Sequence, residues 1–102
     1  MEAVYYFEDK AKKDVEKLEG DEFFKRLGVT DREAKLMGTK RTSGYYLYVK
    51  AESADKFKIA EEKIAESKLP LTKISGEEEK AVIDAIKREE DSAAEGMGAI
   101  FG

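Results

Sequence analysis

One short segment, residues 44–50 with the sequence GYYLYVK, constrains the fold more than any other part of the chain. It is the densest run of aromatic and β-branched side chains, which favour extended strands. In a strand Tyr45 and Leu47 point to one side of the sheet, and Tyr46 and Tyr48 point to the other. Large side chains therefore stand on both faces. We predict a central strand, each face of which must meet either a helix or a ligand.

Helical patterns follow two predicted strands. The apolar run AVYYF at residues 3–7 predicts a second interior strand, and apolar residues at helical spacing begin soon after Glu8. Gly20 interrupts that pattern, and Asp21 can cap a further short helix that ends at Gly28. After the aromatic strand, Ser53 can cap a longer helix. The predicted buried stripe of this longer helix consists of Ala54, Phe57, Ala60 and Ile64.

The segment between these units, residues 30–41, allows two interpretations. Thr30 with Glu33 forms a capping-box pattern, which favours a helix, whereas the residues that follow alternate like a strand. We expect a strand over residues 35–41. The reason is that residues 42–44, Thr-Ser-Gly, would form a turn that folds this strand back onto the aromatic strand as a hairpin.

The C-terminal third supplies a last strand and a last helix. Pro70 confines the strand to an edge of the sheet, because proline donates no ladder hydrogen bond. The apolar residues of this strand are Leu69, Leu71 and Ile74. A capping-box pattern at residues 75–78 opens the helix, which we expect to fade after Lys87, where acidic residues meet an unfavourable helix dipole. Its predicted apolar stripe consists of Val82, Ile83, Ala85 and Ile86.

The order of these elements predicts the fold class. With one hairpin and two right-handed crossovers, the chain is predicted to be an α+β protein, a ferredoxin-like split βαβ sandwich (β-α-β-β-α-β) with an additional C-terminal helix. The runs at residues 3–7 and 44–50 would be the central strands. We predict that the last helix, through Val82 and Ile86, covers whichever face of the aromatic strand points away from the first two helices.

Composition excludes much ordinary enzymology. The chain has 102 residues and contains neither cysteine nor histidine. It therefore lacks disulfides, thiolate ligands, the usual near-neutral general base and the commonest metal ligand. Its acidic stretches have no calcium-loop spacing. We expect a protein that is not an enzyme and has no catalytic residues, metal or cofactor. Interspersed lysine and glutamate resemble the ion-pair-rich surfaces of proteins from hot environments.

Charge and hydropathy point to a location and to the class of partner. The formal net charge of −4 disfavours nucleic acid and anionic membranes as partners. The N-terminus lacks the features of a signal peptide, and no apolar run approaches the roughly 20 residues of a membrane-spanning helix. We expect a cytoplasmic protein that has no contact with membranes.

A second function class is binding of single-stranded nucleic acid or of a small anion. Residues 43–50 partly resemble the third-strand motif of the RNA recognition motif family, because Gly44 and Tyr45 match its glycine and first aromatic residue. The leading basic residue and the second stacking aromatic are absent. In that family an open sheet face stacks bases, and the loop here could hold a phosphate. The candidate binding residues are Lys40, Arg41, Ser43, Gly44, Tyr46 and Tyr48.

The end of the chain favours a protein partner. We assign residues 1–94 to a single α+β domain and residues 95–102 to a glycine-rich apolar tail. The flanking glycines cannot fix the three sizeable apolar side chains of the tail, Met97, Ile100 and Phe101. These side chains need a surface, on the chain's own sheet or on a partner. Our leading hypothesis is therefore a module that acts by protein contact or as a homodimer, with these residues in the interface.

Overall fold

A computed structural model describes the backbone of residues 1–101 and the side chains of residues 1–90. In this part the chain is an α+β protein with a four-stranded antiparallel sheet and four α-helices. The strands are β1 (Glu2–Phe7), β2 (Thr30–Glu33), β3 (Tyr45–Lys50) and β4 (Thr72–Lys73). The helices are α1 (Lys12–Glu19), α2 (Glu22–Leu27), α3 (Ala54–Ser67) and α4 (Gly76–Phe101). Short 3₁₀ turns occupy Asp9–Ala11 and Ala34–Leu36.

The strands are arranged in the order β2-β3-β1-β4. β1 pairs with β3 along its whole length, from Glu2 opposite Lys50 to Phe7 opposite Tyr45. The two apolar runs of the sequence are therefore the central strands, as predicted. β4 is an edge strand of two residues, and it follows Pro70 instead of containing it.

The second strand lies earlier in the chain than the sequence predicted. The expected strand over residues 35–41 and its tight hairpin are wrong, because β2 is Thr30–Glu33 and the residues after it form a 3₁₀ turn and an irregular connection. Ala34 and Met37 are buried while Leu36 is 66% exposed, a three-residue spacing typical of a turn. The sequence of β2, TDRE, is entirely polar, so it has no apolar alternation that would predict a strand.

Helices cover both faces of the sheet. On one face Tyr5, Phe7 and Leu47 pack in a core with residues of α1, α2 and α3. On the other face Tyr46 and Tyr48 share a core with α4. The α4 side of that core is formed by Val82 and Ile86, so the predicted cover of the aromatic strand is confirmed.

The predicted helix ends agree with the structure in part. The Asp21 side chain accepts from Phe23 N at the start of α2, and Ser53 Oγ accepts from Lys56 N at the start of α3. Ala54, the first residue of α3, is exposed, so the predicted buried stripe is wrong at this position and the buried residues of α3 begin at Phe57.

The last helix is longer than expected. α4 extends to Phe101, so the prediction that it fades after Lys87 is wrong for the backbone. Alanine and glutamate are frequent in this part of the sequence, and their helix propensity opposes the dipole penalty. The predicted tail residues Met97, Ile100 and Phe101 lie outside the described side chains.

Candidate functional site

A polar cluster joins the β2–β3 loop, residues 34–44, to the first turns of α4. Tyr46 Oη donates to Glu78 Oε2 at 2.6 Å and lies 2.8 Å from Thr39 Oγ1. Arg41 Nε donates to the same oxygen of Glu78. These four residues, Thr39, Arg41, Tyr46 and Glu78, are called the Glu78 cluster below. They connect the loop, the central strand β3 and α4 through one carboxylate.

The charges of the Glu78 cluster are fixed at neutral pH. The hydrogen bond from Arg41 lowers the pKa of Glu78 below its usual value, and the Tyr46 hydroxyl acts in the same direction. Burial, and then the bond to Glu78, raise the pKa of Tyr46. Glu78 is therefore an anion and Tyr46 a neutral donor in ordinary conditions. This pairing stabilises the loop and does not supply a proton near neutral pH.

Tyr6 supports the loop from the other side. The Arg41 guanidinium lies 3.8 Å from the centroid of the Tyr6 ring, and Tyr6 Oη donates to the Ser43 carbonyl at 3.3 Å. Gly44 has a φ of 83°, and a Cβ on it would lie 2.5 Å from Tyr6 Oη. Gly44 N also donates to Asp9 Oδ1 at 3.2 Å. Glycine is required here by both the backbone conformation and the close approach of the tyrosine ring.

A cleft of about 640 Å³ lies between the loop and α4. Its volume is within the range of small-molecule sites. Two of its charged side chains, Lys40 and Glu77, are exposed and form no salt bridge with any described side chain. The cleft thus carries a cation and an anion in addition to the Arg41–Glu78 pair. Its lining residues are Gly38, Thr39, Lys40, Arg41, Glu77, Glu78 and Ala81.

The structure separates the residues that the sequence grouped as a binding site. Lys40 and Arg41 line the cleft, whereas Ser43 and Gly44 lie against Tyr6 on the far side of the loop. Tyr46 and Tyr48 are 0% and 5% exposed under α4. The Tyr48 hydroxyl donates to Glu2, away from the cleft.

Sequence reasoning missed Tyr6 and Glu78. Tyr6 lies directly opposite Tyr46 in the antiparallel register, and this position places the Tyr6 ring beneath the loop. The register was predictable once β1 and β3 were paired. Glu78 was assigned to a helix cap, but its carboxylate instead bonds with Tyr46 and Arg41, residues more than 30 positions earlier in the chain. No local sequence pattern signals that contact.

The described residues define a small α+β protein whose loop cleft is lined by charged side chains. Its described side chains contain no cluster of three or more acidic, histidine or cysteine residues suited to a metal ion. None of the helices in the described part of the chain combines the length with the apolar character that crossing a bilayer demands. No protein-family model, curated protein or solved structure matches the chain.

Proposed function

We propose that this protein is a small module that acts by contact between protein chains, and that its partner is a second copy of itself bound along the C-terminal part of α4. The observation that carries the proposal is the length of α4. Its 26 residues correspond to about 39 Å of helix, whereas the six residues of β3 span about 20 Å. The helix is therefore much longer than the sheet face that it covers.

The exposure of α4 supports this proposal. Among the side chains of α4 that the structure describes, Ile86 is the last buried one, and residues 87–90, a full turn, are all exposed. The helix continues for 11 more residues, to Phe101. In the sequence of that continuation stand Met97, Ile100 and Phe101. An isolated helix is only marginally stable in water, so a helix that extends past its own core gains stability from a partner.

A second copy is the partner that the rest of the molecule favours. Both faces of the sheet are already covered by helices, and no buried side-chain nitrogen or oxygen of the described residues lacks a hydrogen-bond partner. The described domain therefore offers the apolar end of α4 no uncovered sheet face to pack against. Two identical apolar segments can cover each other in a two-fold contact, the commonest symmetry of homo-oligomers.

We also propose the finer fold assignment, a ferredoxin-like split βαβ sandwich with an additional C-terminal helix. The strand order β2-β3-β1-β4 with antiparallel neighbours supports it. The position of α1 between β1 and β2 and of α3 between β3 and β4 supports it as well, since both helices pack on the same face of the sheet.

Sedimentation of matched variants tests the self-association. The full chain should associate with rising concentration, and the double variant Ile100→Ser and Phe101→Ser should remain monomeric, because each buried apolar side chain contributes about 2 to 3 kcal/mol. The control is Leu36→Ser with Ile59→Ser, which alters two exposed apolar residues of the domain. This control should associate like the unaltered chain. The proposal fails if the full chain stays monomeric up to about millimolar concentration, or if the tail variant associates normally.

A second candidate function is binding of a small anion in the loop cleft. It is favoured by two observations. Lys40 and Arg41 line the same cleft, and Lys40 has no salt bridge among the described side chains. Inorganic phosphate should then shift the amide resonances of residues 38–41. These shifts should be smaller in Lys40→Ala, and they should decrease as the salt concentration rises. The control Lys35→Ala removes a lysine that pairs with Glu33 outside the cleft. Base stacking on Tyr46 and Tyr48 has no such support, because both rings are buried.

A further inference from the structure

The cleft between the β2–β3 loop and α4 has opposite unmatched charges on its two walls. Lys40 stands on the loop and Glu77 in the first turn of α4, and both side chains line the cleft. Both residues are exposed, and they form no salt bridge with each other or with any other described side chain. The described residues thus leave one cation and one anion of this cleft without a partner.

Arg41 adds hydrogen-bond donors to the loop wall of the cleft. Its Nε donates to Glu78, and its guanidinium lies 3.8 Å from the centroid of the Tyr6 ring, so the group is held on an edge and on a face. Its other two nitrogens form no hydrogen bond with a described residue. The side chain lines the cleft and is 36% exposed. A guanidinium that is held in place can bind a carboxylate or a phosphate through its remaining N–H groups.

The charges of the cleft oppose a ligand of a single sign. Glu78 is already neutralised by Arg41, so the unmatched charges are those of Lys40 and Glu77. A simple anion is attracted by one wall and repelled by the carboxylate of the other, and a simple cation meets the reverse arrangement. A ligand with an oxyanion at one end and an ammonium group at the other is attracted by both walls. The other lining residues have small side chains, which leave room for a short aliphatic spacer: Gly38, Thr39 and Ala81.

We propose that the cleft binds a small zwitterion, a molecule that carries a carboxylate or phosphate group at one end and an ammonium group at the other. The oxyanion binds Lys40 and the remaining N–H groups of Arg41, and the ammonium group binds Glu77. This proposal rests on the anion binding proposed above as the second candidate function, and it specifies the class of ligand.

Matched ligands with and without an ammonium group test the proposal on the full chain. Glycine, β-alanine and γ-aminobutyrate are compared with acetate, propionate and butyrate, and phosphoethanolamine is compared with ethyl phosphate. The amide resonances of residues 38–41 and 77–78 report binding. At least one amino compound should have a Kd about fivefold lower than its matched anion, which is the gain that one exposed ion pair can contribute. The carboxylate and phosphate series together show which oxyanion the cleft prefers.

Three variants assign the two ends of the ligand. Glu77→Gln should remove the advantage of the amino compounds and leave binding of the plain anions intact, because only the ammonium group loses its partner. Lys40→Ala should weaken binding of both kinds of ligand. The matched control is Glu79→Gln, which alters a glutamate of the same helix turn that does not line the cleft, and the advantage of the amino compounds should remain.

The outcomes distinguish this proposal from a plain anion site. If phosphate and the plain carboxylates bind but no amino compound binds more tightly than its matched anion, the anion site stands and the zwitterion proposal is overturned. If none of these probes shifts the resonances, both are overturned. If Glu77→Gln retains the advantage of the amino compounds, Glu77 does not bind the ammonium group, and the proposal is again overturned.

Discussion

The hydroxyl of Tyr46 lies 2.6 Å from Glu78 Oε2 and joins the central strand β3 to the first turn of α4. The next tyrosine on the same face, Tyr48, donates its hydroxyl to Glu2, whose other carboxylate oxygen lies 3.6 Å from Lys87 of α4. Each ring thus packs in the apolar core under α4 while its polar tip is bound by a carboxylate. This pairing allows large aromatic side chains to be buried without an unsatisfied hydroxyl.

The hydrogen bond between Tyr46 and Glu78 predicts a loss of stability in Tyr46→Phe. The variant keeps the ring but removes a bond to a charged group, which typically contributes about 1.5 to 3 kcal/mol. We expect the free energy of unfolding, measured in urea, to fall by about 2 kcal/mol. Tyr45→Phe is the control, because the Tyr45 hydroxyl has no hydrogen bond to a described residue and its loss should change stability by less than about 0.5 kcal/mol. Equal effects in the two variants would contradict the assigned role of the bond.

The lowered pKa of Glu78 predicts a difference between acid and neutral solution. A carboxyl whose folded pKa is below its unfolded value of about 4.5 stabilises the protein above that value, and this contribution is lost as pH falls through the folded pKa. The stability gap between the unaltered chain and Glu78→Gln should therefore shrink in acid. Because the Glu78 side chain is 30% exposed, solvent screening keeps the gap small.

Glu77→Gln provides the control for this measurement. Glu77 is the neighbouring glutamate, and it forms no salt bridge with a described side chain. Urea unfolding of the three proteins at several pH values should show a stability gap to the unaltered chain that shrinks in acid by more for Glu78→Gln than for Glu77→Gln. A gap for Glu78→Gln that is the same in acid and at neutral pH would show that its charge does not support the fold.

Sequence patterns predicted the elements that are determined by local apolar periodicity. β1 and β3 contain continuous apolar runs that are buried on both faces, and the buried residues of α3 follow helix spacing. β2 was misplaced because its four residues are polar and are held by charges from distant parts of the chain, Asp31 by Lys12 and Arg32 by Glu89. Such contacts depend on the docking of α1 and α4, which no local pattern describes.

The local residues of the candidate site were predictable from the sequence, whereas their distant partners were not. The two cations beside turn residues, Lys40 and Arg41, were predicted as part of one binding loop, and both line the cleft. The partner of Arg41, Glu78, is 37 residues away and contacts it only because α4 lies over β3. The burial of Tyr46 and Tyr48 followed from the cap and stripe of the last helix, which needed a face to cover.

The close approach of Tyr6 to Gly44 predicts a strong effect of Gly44→Ala. An added Cβ would lie 2.5 Å from Tyr6 Oη, and the backbone φ of 83° is unfavourable for alanine. We expect a loss of about 2 to 4 kcal/mol in the free energy of unfolding. Gly38→Ala separates the two causes, because Gly38 has a φ of 73° but no atom within 4 Å of the added Cβ. Its loss should be about 1 kcal/mol. Equal losses in the two variants would assign the whole effect to backbone strain.

The cover of the aromatic strand predicts that Ile86 is the most sensitive position for α4 docking. Ile86 is 2% exposed in the core that contains Tyr46 and Tyr48, so Ile86→Ala should leave a cavity and lower the free energy of unfolding by about 2 to 4 kcal/mol. It should also increase binding of a hydrophobic dye, because partial release of α4 uncovers aromatic rings. Ile59→Ala is the control, since Ile59 is 41% exposed on α3 and its truncation should cost less than about 0.5 kcal/mol. If both variants melt and bind dye like the unaltered chain, α4 does not cover the sheet in solution, and the aromatic face of β3 is open to a ligand.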